Sequence, residues 1–184
     1  MKLTNEQRDL LKTIARESIR SGLTHGQPLQ VDLDKVDETL RQPAATFVTL
    51  NLRGQLRGCI GSLQAVRPLA EDVAHNAWAA AFQDFRFPPL TAEEFPDIDI
   101  HISLLSEPEP MEVASEDDLL RQLRPGKDGL ILEDGPYRST FLPQVWESLP
   151  DPKRFLAELK MKAGLSPDYW SDTIRFSRYT VETV

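Results

Sequence analysis

Residues 45–63 read ATFVTLNLRGQLRGCIGSL, and the way this stretch extends decides the fold. Threonine, valine, phenylalanine and leucine crowd its first half, side chains that suit a pleated, half-buried surface. Arg53-Gly54 supplies a turn signal between the two runs. The pattern predicts two strands, about 45–52 and 55–61, joined as a hairpin. On an extended 55–61 segment, Leu56 and Ile60 share one face. Arg57 and Cys59 share the other, with Gly61 beyond them.

That alternation gives LRGCIGSL, residues 56–63, a chemical meaning. Cys59 is the only cysteine of 184 residues. The thiolate is the reactive form of a cysteine, and a neighbouring guanidinium favours it. Arg57 and Cys59 are therefore candidate catalytic residues. Gly58 and Gly61 are candidate ligand-binding positions, because glycine lets a ligand or another chain segment approach the backbone. Against this stands a plainer account. A free cysteine packs well as a small hydrophobe, and glycines in strands mark bulges or close packing. Arg57 also has 29 acidic residues with which to pair. The same-face pairing requires that no bulge fall between Arg57 and Cys59.

Upstream, Thr4-Asn5-Glu6-Gln7 reads as a capping box. Leu10, Leu11, Ile14, Ala15 and Ile19 then recur at helical spacing, predicting an amphipathic helix over 5–20 that Gly22 closes. A shorter helical pattern spans about 34–40, before Pro43. Downstream, Pro68 opens a helix over about 69–83, whose AWAAAF run is a strong helix former and allows another element to approach closely. Residues 98–104 alternate Ile and Leu with Asp99, His101 and Ser103, which predicts a half-buried strand with one polar face. Helices near 115–124 and 152–163, a hairpin across Asp134-Gly135 and a closing strand over 172–182 complete the pattern. Helices intermingle with antiparallel strands without a βαβ rhythm, so the fold class is α+β. The length fits one domain, 1–184, with room for two lobes.

A second cluster, Gln83-Asp-Phe-Arg-Phe-Pro-Pro89, follows the alanine-rich helix. Asp84 is a candidate catalytic carboxylate and Arg86 a candidate ligand-binding cation, both on a loop stiffened by aromatics and prolines. Alternatively, Arg86 satisfies helix-end carbonyls or a neighbouring aspartate. A nucleophile also needs a base. His101, on the polar strand face, is the better histidine for that role, and His75 sits on a helix.

A net charge of −8 gives no general attraction for a phosphate backbone, and no basic run or nucleic-acid motif appears. Nucleic acid is not an expected partner. A lone cysteine cannot form an internal disulfide, which suits a reducing compartment. The start MKLTNEQRDL has no apolar signal region and no run reaches membrane length, so the expected location is the cytoplasm. One Cys and His25, His75 and His101 show no close metal-ligand spacing, so no metal residues are assigned. GQLRGCIG lacks the Walker lysine and the dinucleotide glycine spacing, and no cofactor is assigned.

LRGCIGSL, NAWAAAFQDFRFPPL, HISLLSEPEPM, GKDGLILEDG, TFLPQVWESLP and FLAELKMKAGL occur in this order. Together they resemble the AMMECR1 family, whose prokaryotic members are called AmmeMemoRadiSam system protein A. The resemblance covers nearly the whole chain, and LRGCIG is its signature. It implies an α+β fold with a larger and a smaller subdomain and a cleft between them, the signature lying in the core of that arrangement. It also implies a Memo-like protein and a radical-SAM protein as partners in a pathway or complex.

Two functions follow as expectations. One is an enzyme or enzyme component using Cys59, with Arg57 and Arg86 beside it, Asp84 or His101 handling protons, and a small-molecule ligand. The other is a non-catalytic binding or assembly module, with Phe85-Arg86-Phe87, Phe141-Leu142-Pro143 and Trp146 as an apolar contact patch.

Overall fold

The hairpin of residues 45–63 forms one side of a sheet in the first of two units, with its second strand at the edge. The computed structural model describes residues 1–184. In chain order the elements begin with helices α1 (Asn5–His25) and α2 (Glu38–Arg41) and strands β1 (Pro43–Leu52), β2 (Gln55–Gly61) and β3 (Arg67–Pro68). Helix α3 (Leu69–Phe82), strands β4 (Ile98–Leu105) and β5 (Glu109–Pro110), and helix α4 (Glu116–Gln122) follow. The chain continues through β6 (Gly129–Asp134), β7 (Tyr137–Phe141), α5 (Pro152–Lys162), β8 (Arg175–Tyr179) and β9 (Val181–Thr183). It divides into Met1–Ser106 with Glu182–Val184, and Glu107–Val181. Helices and antiparallel strands make this an α+β fold, as the sequence pattern predicts.

In the first unit the sheet runs β2-β1-β4-β9, with β3 also paired to β1. Arg53 (φ 52°) and Gly54 (φ 80°) are both left-handed, a two-residue turn whose twist matches the flanking strands. The capping box at Thr4 forms, with Gln7 reaching back to the Thr4 N–H. Helix α1 does not end at Gly22, however. It runs on to His25 and is capped by left-handed Gly26. Gly22 is a packing residue instead: a Cβ there would lie 2.2 Å from the Phe82 ring. The short helical pattern at 34–40 resolves into a 3-10 turn, Leu33–Lys35, followed by α2. The closing strand at 172–182 is likewise two, β8 and β9.

Leu11, Ile14 and Ile19 of α1 bury against Val73, Ala77 and Ala80 of α3, and against Val48, Leu50 and Ile102 of the sheet. Each large aliphatic side chain removed from water contributes roughly 1.5–3 kcal/mol. A buried polar network fixes α3 to β1. Asp72, fully buried, accepts from the Thr46 N–H (3.0 Å), the Thr46 hydroxyl (2.7 Å), Asn76 (3.0 Å) and Arg67 (3.2 Å). A buried carboxylate is tolerated because its oxygens are occupied in this way.

The second unit is a sheet in the order β5-β8-β6-β7 with α5 over it. Trp146 stacks on Phe155 with ring centroids 3.8 Å apart, and its indole N–H donates to the Asp128 carbonyl at 2.7 Å. Trp146 is therefore core, not part of an exposed contact patch.

Candidate functional site

Strands β1 and β2 start in step from the turn, Leu52 opposite Gln55 and Asn51 opposite Leu56. The next pair is Leu50 with Gly58, so Arg57 is left out of the ladder as a β-bulge. Unbroken pairing would set Val48, fully buried, opposite Cys59 and turn the thiol toward the core. With the bulge, Val48 faces Ile60, and Cys59 faces Thr49. A slip of one residue exchanges the faces of a strand. The expected same-face pair of Arg57 and Cys59 is thereby broken. So is the pairing of Leu56 with Ile60: Leu56 is exposed on the sheet, whereas Ile60 packs against the core.

Arg57 goes into a site of its own. It is 7% exposed and reaches Glu94 through Nε (2.9 Å) and Nη2 (3.1 Å), with a further bond from Nη2 to the Pro88 carbonyl at 2.8 Å. Its Nη1 is buried without a hydrogen-bond partner. Glu94 also closes a capping box with Thr91, accepting the Thr91 N–H at 3.1 Å. The Arg57 hydrogen bonds, with smaller help from Thr91, pull the Glu94 carboxyl down to about 2 against the effect of burial. Arg57 ties β2 to the segment after α3. It is a structural arginine, and not the cation of the thiol.

Cys59 is linked instead to Arg86, through Asp84. Asp84, 5% exposed, accepts the backbone N–H of Cys59 on Oδ2 at 3.0 Å. The same oxygen accepts Arg86 Nη2 at 2.7 Å, while Oδ1 takes Arg86 Nε at 3.0 Å and the Arg86 N–H at 3.2 Å. One carboxylate thus holds an edge-strand peptide and a guanidinium together. Arg86 hydrogen bonds, then the Cys59 and Arg86 N–H groups, hold the Asp84 carboxyl far below the usual carboxylate range despite its burial. Arg86 is raised above its ordinary value, chiefly by Asp84, with a smaller electrostatic contribution from Cys59. Cys59 itself is a half-buried residue, and its thiol lies 3.2 Å from the Thr49 hydroxyl.

Asp84 is pinned as an anion between donors, so it positions its neighbours and does not take up protons at neutral pH. His101 is exposed and pairs with Thr49 on the far side of β1. It stands two strand spacings, about 10 Å, from Cys59 at the backbone level. Thr49, not His101, is the side chain in contact with the thiol. The glycines are occupied by the chain's own packing. A Cβ on Gly58 would lie 2.0 Å from the Ala80 carbonyl oxygen, and one on Gly61 would lie 2.3 Å from the Phe47 ring. Their bare backbone admits another segment, not a ligand. No three His, Cys, Asp or Glu side chains gather at metal-binding distance.

Thr49 was not a candidate from sequence. Two-residue-turn register without a bulge places it opposite Gly58, and only the bulge brings it to Cys59.

No helix is long and apolar enough to cross a membrane. A crystal structure of an uncharacterised protein from Pyrococcus horikoshii superposes with a TM-score of 0.90 at 35% identity, covering 100% of this chain and 93% of that one. A protein of Methanothermobacter thermautotrophicus is 43% identical over 173 residues, 91% of this chain and 87% of the relative. One from Thermofilum pendens is 36% identical, covering 92% of this chain and 84% of its own. The AMMECR1 family model matches residues 12–184. The chain belongs to the AMMECR1 family.

Proposed function

We propose that this chain is an enzyme, or an enzyme component, in which Cys59 is the working thiol and Arg86 the cation beside it. Asp84 is the positioning carboxylate and Thr49 the hydroxyl that contacts the sulfur. Its pathway is the one implied by the family resemblance, shared with Memo-like and radical-SAM proteins. A single observation supports this above others: Asp84 Oδ2 binds both the Cys59 N–H and the Arg86 guanidinium, and Cys59 is a partly exposed residue. The test is labelling of the folded chain with iodoacetamide at neutral pH. Cys59 is expected to react as the folded protein, at a rate that Arg86→Gln lowers. Labelling that appears only in denaturant defeats the proposal.

A second reading, a non-catalytic assembly module, is favoured by Phe85. This ring is 98% exposed between Asp84 and Arg86. Loss of co-purification with a Memo-like partner in Phe85→Ser, with retention in Cys59→Ala, is the outcome that selects assembly over chemistry.

A further inference from the structure

We infer that the outer edge of Arg86 anchors an anionic group, carboxylate or phosphate, on the molecule that Cys59 acts on, which rests on Cys59 being the working thiol. The guanidinium is held on one edge and open on the other. Nε and Nη2 both bind Asp84, at 3.0 and 2.7 Å, and this leaves Nη1 outside the pair. The side chain is 49% exposed, whereas its aspartate partner is 3% exposed. Phe87 supports it from the side, with the guanidinium carbon 5.5 Å from the ring centroid. A guanidinium fixed in this way has lost its rotamer freedom before any ligand arrives, and its remaining N–H groups keep the fork geometry that matches planar or tetrahedral oxyanions.

The link to Cys59 gives the anchor a use. Asp84 Oδ2 is shared by Arg86 and the Cys59 peptide, so the cation and the backbone that carries the thiol are held by one oxygen. The carboxylate is already satisfied by Arg86 and two backbone N–H groups, so it does not repel an incoming anion as a free aspartate does. Arg124 is held edge-on by buried Asp128 in a similar way, with its side chain 42% exposed, but that carboxylate does not bind the Cys59 peptide. Arg57 is buried on Glu94, and Arg53 is a surface side chain 3.8 Å from Asp97. The chain as a whole carries −8, so an anion is drawn here by this local geometry and not by the overall field.

The test compares two alkylating probes that differ in charge, iodoacetate and iodoacetamide, on the intact chain. N-acetylcysteine is the reference. A charge-assisted contact predicts that the iodoacetate-to-iodoacetamide rate ratio at Cys59 exceeds that of the reference thiol by about tenfold. Arg86→Gln returns the ratio to the reference value, and Arg86→Lys keeps most of it. Inorganic phosphate slows iodoacetate labelling of the unaltered chain, a measurement that stands even where Arg86→Gln fails to fold. If both probes label the folded chain at the reference ratio, and phosphate has no effect, the anchor is overturned while the working thiol survives. If neither probe labels without denaturant, the thiol itself is ruled out and the anchor with it.

Discussion

Thr49 Oγ1 stands 3.2 Å from Cys59 Sγ because Arg57 is left out of the ladder between their strands. The contact is made between neighbouring strands across a tight turn, yet it depends on groups far away in sequence. Arg57 is drawn out by Glu94 and the Pro88 carbonyl. Gly58 is pressed to the Ala80 carbonyl. Both belong to α3 or the segment after it.

Thr49→Val keeps the shape of the side chain and removes the hydroxyl. Stability is expected to change by about 1 kcal/mol or less, the usual worth of one partly exposed hydrogen bond. Iodoacetamide labelling of Cys59 is expected to slow several-fold. Unchanged labelling kinetics would remove Thr49 from the site.

Arg57→Ala is expected to destabilise the chain by about 3 kcal/mol, because Glu94 and the Pro88 carbonyl lose a buried, two-bonded partner. Arg57→Lys should recover little, since an ammonium cannot reproduce the Nε and Nη2 fork. Urea unfolding measures both. A loss below about 0.5 kcal/mol in Arg57→Ala, the scale of a surface pair, would contradict the structural role.

Acid should expose the same pair. The folded Glu94 carboxyl titrates at about 2, below its ordinary 4.5, chiefly through Arg57. The sign follows: a lowered folded value means stability that is fully present above about pH 4.5 and is lost as pH falls toward 2. Glu94→Gln is expected to be less stable at neutral pH, and to show a shallower decline across that window. Parallel pH profiles for the two proteins would refute the linkage.

Gly58→Ala tests the close approach of β2 to α3. The added methyl would sit 2.0 Å from a backbone oxygen that no rotamer change can move. A loss of about 3 kcal/mol or more, or failure to fold, is expected from such overpacking. Gly54→Ala, at a left-handed turn position with open space around it, should cost only about 1 kcal/mol. Similar thermal midpoints for the two variants would contradict the packing account.

Much of the fold was legible because local chemistry dictates it. The Thr4 box, the Arg53-Gly54 turn, the alanine-rich α3 and the alternation of β4 each follow from residues a few positions apart. Gly22 misled because a glycine late in a helix resembles a stop, and the ring of Phe82 that requires it is 60 positions on. Around Cys59 the candidates Asp84 and Arg86 were identified from a charged loop on a stiff frame, but Asp84 holds its neighbours where a proton carrier was expected. His101 shares the sheet face of Cys59 and lies one strand too far.

By itself, then, the sequence determined most of the longer elements, the hairpin and the signature at Leu56–Gly61. Tertiary structure alone decided which way that signature faces. Strand alternation has a period of two, so a single unpaired residue reverses it. Whether residue 57 is that residue depends on Ala80, Pro88 and Glu94, reached only once α3 has packed on the sheet. The same packing sends Arg57 to the half-buried carboxylate of Glu94, turns Cys59 to Thr49, and joins the Cys59 peptide to Arg86 through Asp84.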